Sequence, residues 1–194
     1  GKLCYDFRIN DLRLDYLIEK GYDILLAYGM MPDCIATNKN ATSSMSKNKT
    51  RYKGKLINTS TPTDYKMWED ICYEYTKHII ERYGEDKVAS WYIQCFNEPD
   101  IQEFFLSDLP REAVDVRARE YCKLYESFEK GIRRASTKLY IGGPALARIS
   151  KGFLDVFLNY VKEKKLQLDY IAIHNYGGIG AFHLNKGSGF SVDY

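Results

Sequence analysis

Four short apolar runs, separated by stretches of helical spacing, constrain this chain more than any other feature. They are Tyr22 to Tyr28 with the core Ile24-Leu25-Leu26-Ala27, Val88 to Phe96, Leu139 to Ile141, and Leu168 to Ile173. Strands that are nearly continuous in apolar residues belong to sheets covered on both faces, which are parallel sheets. The intervening stretches supply the cover. Arg8 to Lys20 reads as a helix with Leu12, Tyr16 and Leu17 on one side, ended by Gly21. Thr61-Pro62-Thr63-Asp64 opens a second, which runs through Tyr65, Trp68, Ile71, Cys72, Tyr75 and Ile79 to Gly84. A hydroxyl cap followed by proline in the first turn is a strong helix start. Leu109-Pro110 opens a third, carrying Val116, Tyr121, Leu124, Phe128, Ile132 and Ala135. Ser150 caps a fourth, with Phe153, Leu154, Phe157 and Val161 facing in. Repeated βα units imply an α/β fold with right-handed crossovers, and chemistry at the C-terminal ends of the strands.

Two stretches interrupt the alternation. Residues 33–61 form a long polar loop, rich in Asn, Ser, Thr and Lys, after the first strand. A loop of that length inside a compact domain is usually functional or mobile. Gly142-Gly143-Pro144 cuts the third strand short. It fits neither nucleotide-binding spacing, so it reads as a strand-end turn.

Composition excludes several roles. A net charge of +2 over 194 residues lacks the basic face a nucleic-acid partner requires. No apolar run is long enough to span a membrane. The five cysteines are odd in number and have no metal-knuckle spacing, so no metal and no cofactor are expected. Buried free thiols at Cys72, Cys95 and Cys122, with no leader in the opening residues, lean towards a reducing, cytoplasmic compartment. Three sequons, at Asn40, Asn48 and Asn58, fall in the polar loop, where chance explains them as well as glycosylation does. His78 and His183 have no evident partner and are expected to face solvent.

The residues that carry chemistry collect at the strand ends. Met30, Met31 and Pro32 follow the first strand, and Asn97-Glu98-Pro99 the second. Gly142 to Ala145 follow the third, and His174-Asn175-Tyr176 the fourth. A carboxylic acid beside an amide at a buried strand end suits glycosidic-bond cleavage, where one acid protonates the leaving oxygen. His174 and Tyr176 are two apart, so on a strand they face the same way.

Gly29-Met30-Met31-Pro32, Trp91 ahead of Asn97-Glu98-Pro99, Ile141-Gly142-Gly143-Pro144-Ala145 and His174-Asn175-Tyr176 together resemble glycoside hydrolase family 39. That family contains β-xylosidases and α-L-iduronidases. The likeness runs from about Tyr5 to about Tyr176 with the motifs in the family's order. It implies a (β/α)8 TIM-barrel fold and a retaining mechanism on an oligosaccharide or xyloside-type substrate. Glu98 matches the general acid/base, and Asn97 the residue that binds the sugar 2-hydroxyl. His174 and Tyr176 match residues that contact the sugar and orient the nucleophile, and Phe104 an aromatic of the sugar subsite. Phe96 and Phe105 stand where tryptophan is common, and these changes are expected to fall on the cleft lining.

A barrel of this type takes about 250 residues. On the resemblance, residues 1–194 form a single partial barrel that supplies strands three to six. A retaining glycosidase needs a second carboxylate about 5 Å from the first. In the family that nucleophile follows the seventh strand, and no residue here is assigned to it, Asp193 included. The expectation is therefore a partial region of a larger glycosidase, inactive alone, whose open barrel edges invite self-association. The alternative is a non-catalytic carbohydrate-binding or accessory barrel that keeps the acid and lacks the nucleophile.

Overall fold

A computed structural model describes residues 3–43 and 57–175. The elements in chain order are α1 (Arg8–Glu19), β1 (Leu25–Tyr28), α2 (Tyr65–Tyr83), α3 (Glu85–Ala89), β2 (Tyr92–Cys95), α4 (Val114–Ala135), β3 (Tyr140–Leu146), α5 (Lys151–Lys164) and β4 (Tyr170–Ile173). The four strands form one parallel sheet in sequence order, β1-β2-β3-β4. This is the α/β alternation of a TIM barrel, covering part of the circuit.

Register sorts the side chains into layers. Leu25 pairs with Tyr92, and Tyr92 with Tyr140. These three large side chains are exposed. The next residues, Leu26, Ile93 and Ile141, turn to the other face, where α2, α4 and α5 pack. The helix layer interlocks through aromatic rings, with Tyr121 against Phe153 and Phe157, and Tyr125 against Phe128 and Phe157. Each such ring, fully buried, contributes on the order of 1.5–3 kcal/mol. Gly131 lets α4 approach α2 closely, because a Cβ there would lie 2.4 Å from the Glu69 carbonyl oxygen.

Several elements depart from expectation. Val88 and Ala89 belong to α3, not to the second strand. Gly84, at φ 87, ends α2 and starts α3, whose first turn carries Glu85 and Asp86, favourable at a helix N-terminus. Helix α2 begins at Tyr65, capped by Asp64 through its carboxylate to Lys66 N at 2.8 Å. Thr61 is instead tied to Thr37, whose N–H donates to the Thr61 carbonyl at 2.9 Å. Helix α4 begins at Val114, since the residues before it are drawn into turns. Ser150 precedes α5 without a side-chain capping bond. Gly142-Gly143-Pro144 does not cut β3 short. The strand runs on to Leu146, because Gly142 pairs with Tyr170, and Gly142 has no Cβ to strike that ring.

In α1 the inward residue is Leu14, while Leu12, Tyr16 and Leu17 are exposed. On the same helix, Asp15 accepts from Arg82 Nη2 at 2.6 Å and Tyr83 Oη at 2.8 Å, contacts that accompany this orientation. His78 does not face solvent freely. Its Nε2 lies 2.7 Å from Asp11 Oδ1, and its ring rests on Phe7 at 4.5 Å. His183 lies outside the described residues.

The described parts of the long polar loop are packed, with Ile35, Ala36, Ala41, Ser43, Asn58, Thr59 and Ser60 all buried. Asn58 cannot serve as a glycan acceptor in this fold. Its Nδ2 donates to the Asn38 carbonyl at 3.0 Å, and its Oδ1 accepts from Ser60 N and Oγ. Cys72, Cys95 and Cys122 are buried free thiols. A groove of about 700 Å³ runs beside β1, lined by Leu14, Ile24, Tyr28, Trp68 and Tyr75 among others. It lies away from the strand-end residues of β2 and β4.

Candidate active site

The backbone at the ends of β2 and β3 is strained. Phe96, Glu98 and Ala145 have φ values of 64, 49 and 54, in the left-handed region that non-glycine residues avoid. Each costs about 1–3 kcal/mol, and such residues concentrate where geometry serves function. Specific bonds hold them in place. Phe96 N donates to the Tyr28 carbonyl at 2.7 Å, and Glu98 N to the Ala145 carbonyl at 2.9 Å. Below them, Tyr121 Oη donates to the Cys95 carbonyl at 3.0 Å.

This backbone turns Glu98 into a nearly closed site, where it is 7% exposed. Its Oε1 lies 2.6 Å from Nδ1 of His174, which follows β4. The contact spans 76 residues of sequence and joins the ends of β2 and β4. His174 is itself fixed by its N–H, which donates to the Leu146 carbonyl at 2.7 Å. With the proton on Nδ1, the imidazole donates to the carboxylate and fixes the plane of the carboxyl group.

The other expected residues fall nearby with different surroundings. Asn97 is half-buried directly before Glu98, and Phe104 is half-buried on the turn formed by residues 101–105. Tyr176 and Asp193 lie outside the described residues. Phe96 and Phe105 do not line a cleft. Both are fully buried and pack edge to face at 5.2 Å beneath the site. Two aromatic rings in a dry layer gain more from mutual contact than from exposure to solvent.

Sequence reasoning missed two residues. Asp100 is buried, accepts from Ala147 N at 2.9 Å through Oδ1, and leaves Oδ2 without a hydrogen bond among the described residues. Burial pushes its carboxyl above the usual range, and the charge of Glu98 adds to the effect. An acid two residues beyond Glu98, within the same turn, was the available signal. Arg117 on α4 is fully buried, and burial lowers its guanidinium from its ordinary value. It donates to five carbonyls of the loop that carries Phe104 and Phe105. These are Phe105 at 2.9 Å, Arg111 at 3.2 Å, Leu106 at 3.4 Å, and Leu109 and Pro110 at 3.0 Å. No group of His, Cys, Asp and Glu among the described residues could hold a metal ion.

Comparison with known proteins places this geometry in context. The sequence pattern of Glycosyl hydrolases family 39 matches residues 1–186. A β-xylosidase from Geobacillus stearothermophilus is 27% identical over 175 residues, which is 90% of this chain and 31% of that protein. The α-L-iduronidase of Homo sapiens is 28% identical over 121 residues, 57% of this chain and 18% of that protein. The crystal structure of a monomeric β-xylosidase from Caulobacter crescentus CB15 superposes with a TM-score of 0.74 at 26% identity. That match covers 91% of this chain and 32% of the other. The chain thus spans about a third of the length of the β-xylosidases it matches.

Proposed function

This chain belongs to glycosyl hydrolase family 39, and on that premise we propose that it supplies the acid/base half of a retaining glycosidase site. Glu98 gives a proton to the departing glycosidic oxygen while a second carboxylate attacks the anomeric carbon. In the second step Glu98 takes a proton from the water that displaces that carboxylate. His174 holds the Glu98 carboxyl in plane, and with Tyr176 it contacts the sugar and orients the nucleophile. Asn97 binds the 2-hydroxyl, and Phe104 gives the sugar an apolar surface. The nucleophile comes from a residue outside these 194, and the strands present here are the third to sixth of the barrel. The substrate is a β-xyloside.

One observation carries this reading. A buried carboxyl at the end of β2 meets an imidazole at the end of β4, at the strand-end face where barrel enzymes place their catalytic groups. The exposed faces of β1, β2 and β3 also support self-association of the chain, because Leu25, Tyr92 and Tyr140 form an adjoining apolar layer.

The test is hydrolysis of an aryl β-xyloside by the 194-residue chain and by any longer gene product that contains it. The longer product turns over, and Glu98→Gln lowers its turnover about 10²–10⁴-fold, the usual contribution of a general acid. Clear turnover by the 194-residue chain, abolished by Glu98→Gln, would place the nucleophile inside these residues and overturn the division of the site.

A further inference from the structure

Residues 145–147, at the end of β3, act as a hub for the site. The Ala145 carbonyl accepts from Glu98 N, and the Leu146 carbonyl from His174 N. Ala147 N, next in line, donates to Asp100 Oδ1 at 2.9 Å. The first two bonds are main chain to main chain. The third alone depends on a particular side chain.

We propose that Asp100 is a positioning residue for the Glu98–His174 pair, acting by clamping the Ala147 N–H and so fixing the segment from which both residues hang. The segment needs such a clamp. Ala145 sits at φ 54, and the β3–β4 ladder slips register between Pro144 and Leu146. Without a fixed anchor at residue 147, Ala145 would gain by relaxing to extended geometry, and the bond to Glu98 N would go with it. Asp100 holds its place at some cost. It is 5% exposed, and its second oxygen has no hydrogen bond among the described residues. Leaving a buried acceptor unpaired costs about 1–3 kcal/mol. Asp100 stands two positions from the proposed acid, so its bond to Ala147 N ties the turn that carries Glu98 directly to the hub.

The proposal rests on Glu98 being the acid, but its readout needs no turnover, so failure of either idea shows separately. The experiment is ¹⁵N-histidine NMR on the 194-residue chain, with His174 assigned by His174→Gln, together with amide exchange at Glu98 and Ala147. In Asp100→Ala, the His174 Nδ1 resonance moves to its position in Glu98→Gln. The two amides then exchange about tenfold faster or more, while amides of α4 keep their protection. Asp100→Asn retains an acceptor in the same place and leaves the His174 resonance as in the parent. Asp100→Glu, whose acceptor is displaced by one methylene, matches Asp100→Ala and serves if that variant does not fold. An unchanged His174 resonance in folded Asp100→Ala or Asp100→Glu overturns the proposal. So does an Asp100→Asn shift as large as that of Asp100→Ala, which would assign the effect to charge instead of the clamp.

Discussion

Replacing Arg117 with methionine tests how the loop between β2 and α4 is held. The methionine fills much of the same apolar space and removes every donor. Five carbonyls lose a partner, but unequally. Phe105 is fully buried, Leu106 and Leu109 are half-buried, and Pro110 and Arg111 are exposed and can turn to water. A fully orphaned carbonyl costs about 1–3 kcal/mol, and half-buried ones recover part of that from solvent. Against this, the variant no longer buries a cation that has no ion pair among the described residues, which returns part of the loss. The net expectation is a destabilisation of about 2–4 kcal/mol, near the upper range for a single substitution. Urea denaturation of parent and variant, with amide exchange by residue, measures it. Protection should fall first at residues 104–111, ahead of the α2–α4 core. Stability within about 0.5 kcal/mol of the parent, the size of an ordinary surface change, would show that the five bonds do not hold the loop. Arg117→Lys, whose ammonium cannot reach five carbonyls at once, should fall between the two.

Gly131→Ala places a Cβ 2.4 Å from the Glu69 carbonyl and 2.8 Å from Cys72 Cβ, so α4 must move off α2. The resulting overpacking costs about 1–3 kcal/mol and shows as a lower thermal midpoint. Burial raises the carboxyls of Glu69 and Asp70, but their hydrogen bonds to Lys66 and Arg134 outweigh it and hold both below the ordinary range. Their pKa values are lower folded than unfolded, so the stability they add is present above the unfolded carboxylate pKa. It is lost as pH falls through the folded values, and Arg134→Met should flatten that acid limb of the stability curve. If the chain self-associates through this face as proposed, Leu25→Lys with Tyr92→Lys lowers the mass seen in light scattering, and a parent that is already monomeric, or an unchanged mass in the variant, would overturn that proposal.

Much of the architecture is legible in the sequence because apolar runs report burial directly. The four parallel strands and the helices α2, α4 and α5 follow from such runs. Glu98 and His174 were legible as strand-end residues, and the structure brings the two side chains together. What was hidden depends on tertiary pairing. Gly142-Gly143-Pro144 reads as a break, yet stays in β3 because Tyr170 and its neighbours on β4 accept it as a ladder partner. Arg117 lies in the charged stretch Arg117-Ala118-Arg119-Glu120, where nothing local separates the buried arginine from the exposed one. Leu12 and Tyr16 have helical spacing with Leu17, but the helix buries Leu14 instead and turns Asp15 to Arg82 and Tyr83, 67 and 68 residues away. Asp100 stands one residue past the motif, and only the bond to Ala147 reveals its place.

The most direct test of the account is rescue by azide. Glu98→Ala, in a gene product that turns over aryl β-xylosides, is supplied with a 2,4-dinitrophenyl β-xyloside, whose leaving group needs no acid, and with sodium azide. If Glu98 is the acid/base, the covalent xylosyl intermediate forms and azide displaces the nucleophile from the space the carboxyl vacated. The product is then the β-xylosyl azide, with configuration retained. An α-xylosyl azide would show that Glu98 is the nucleophile itself, and no azide product at all would contradict its role in the reaction.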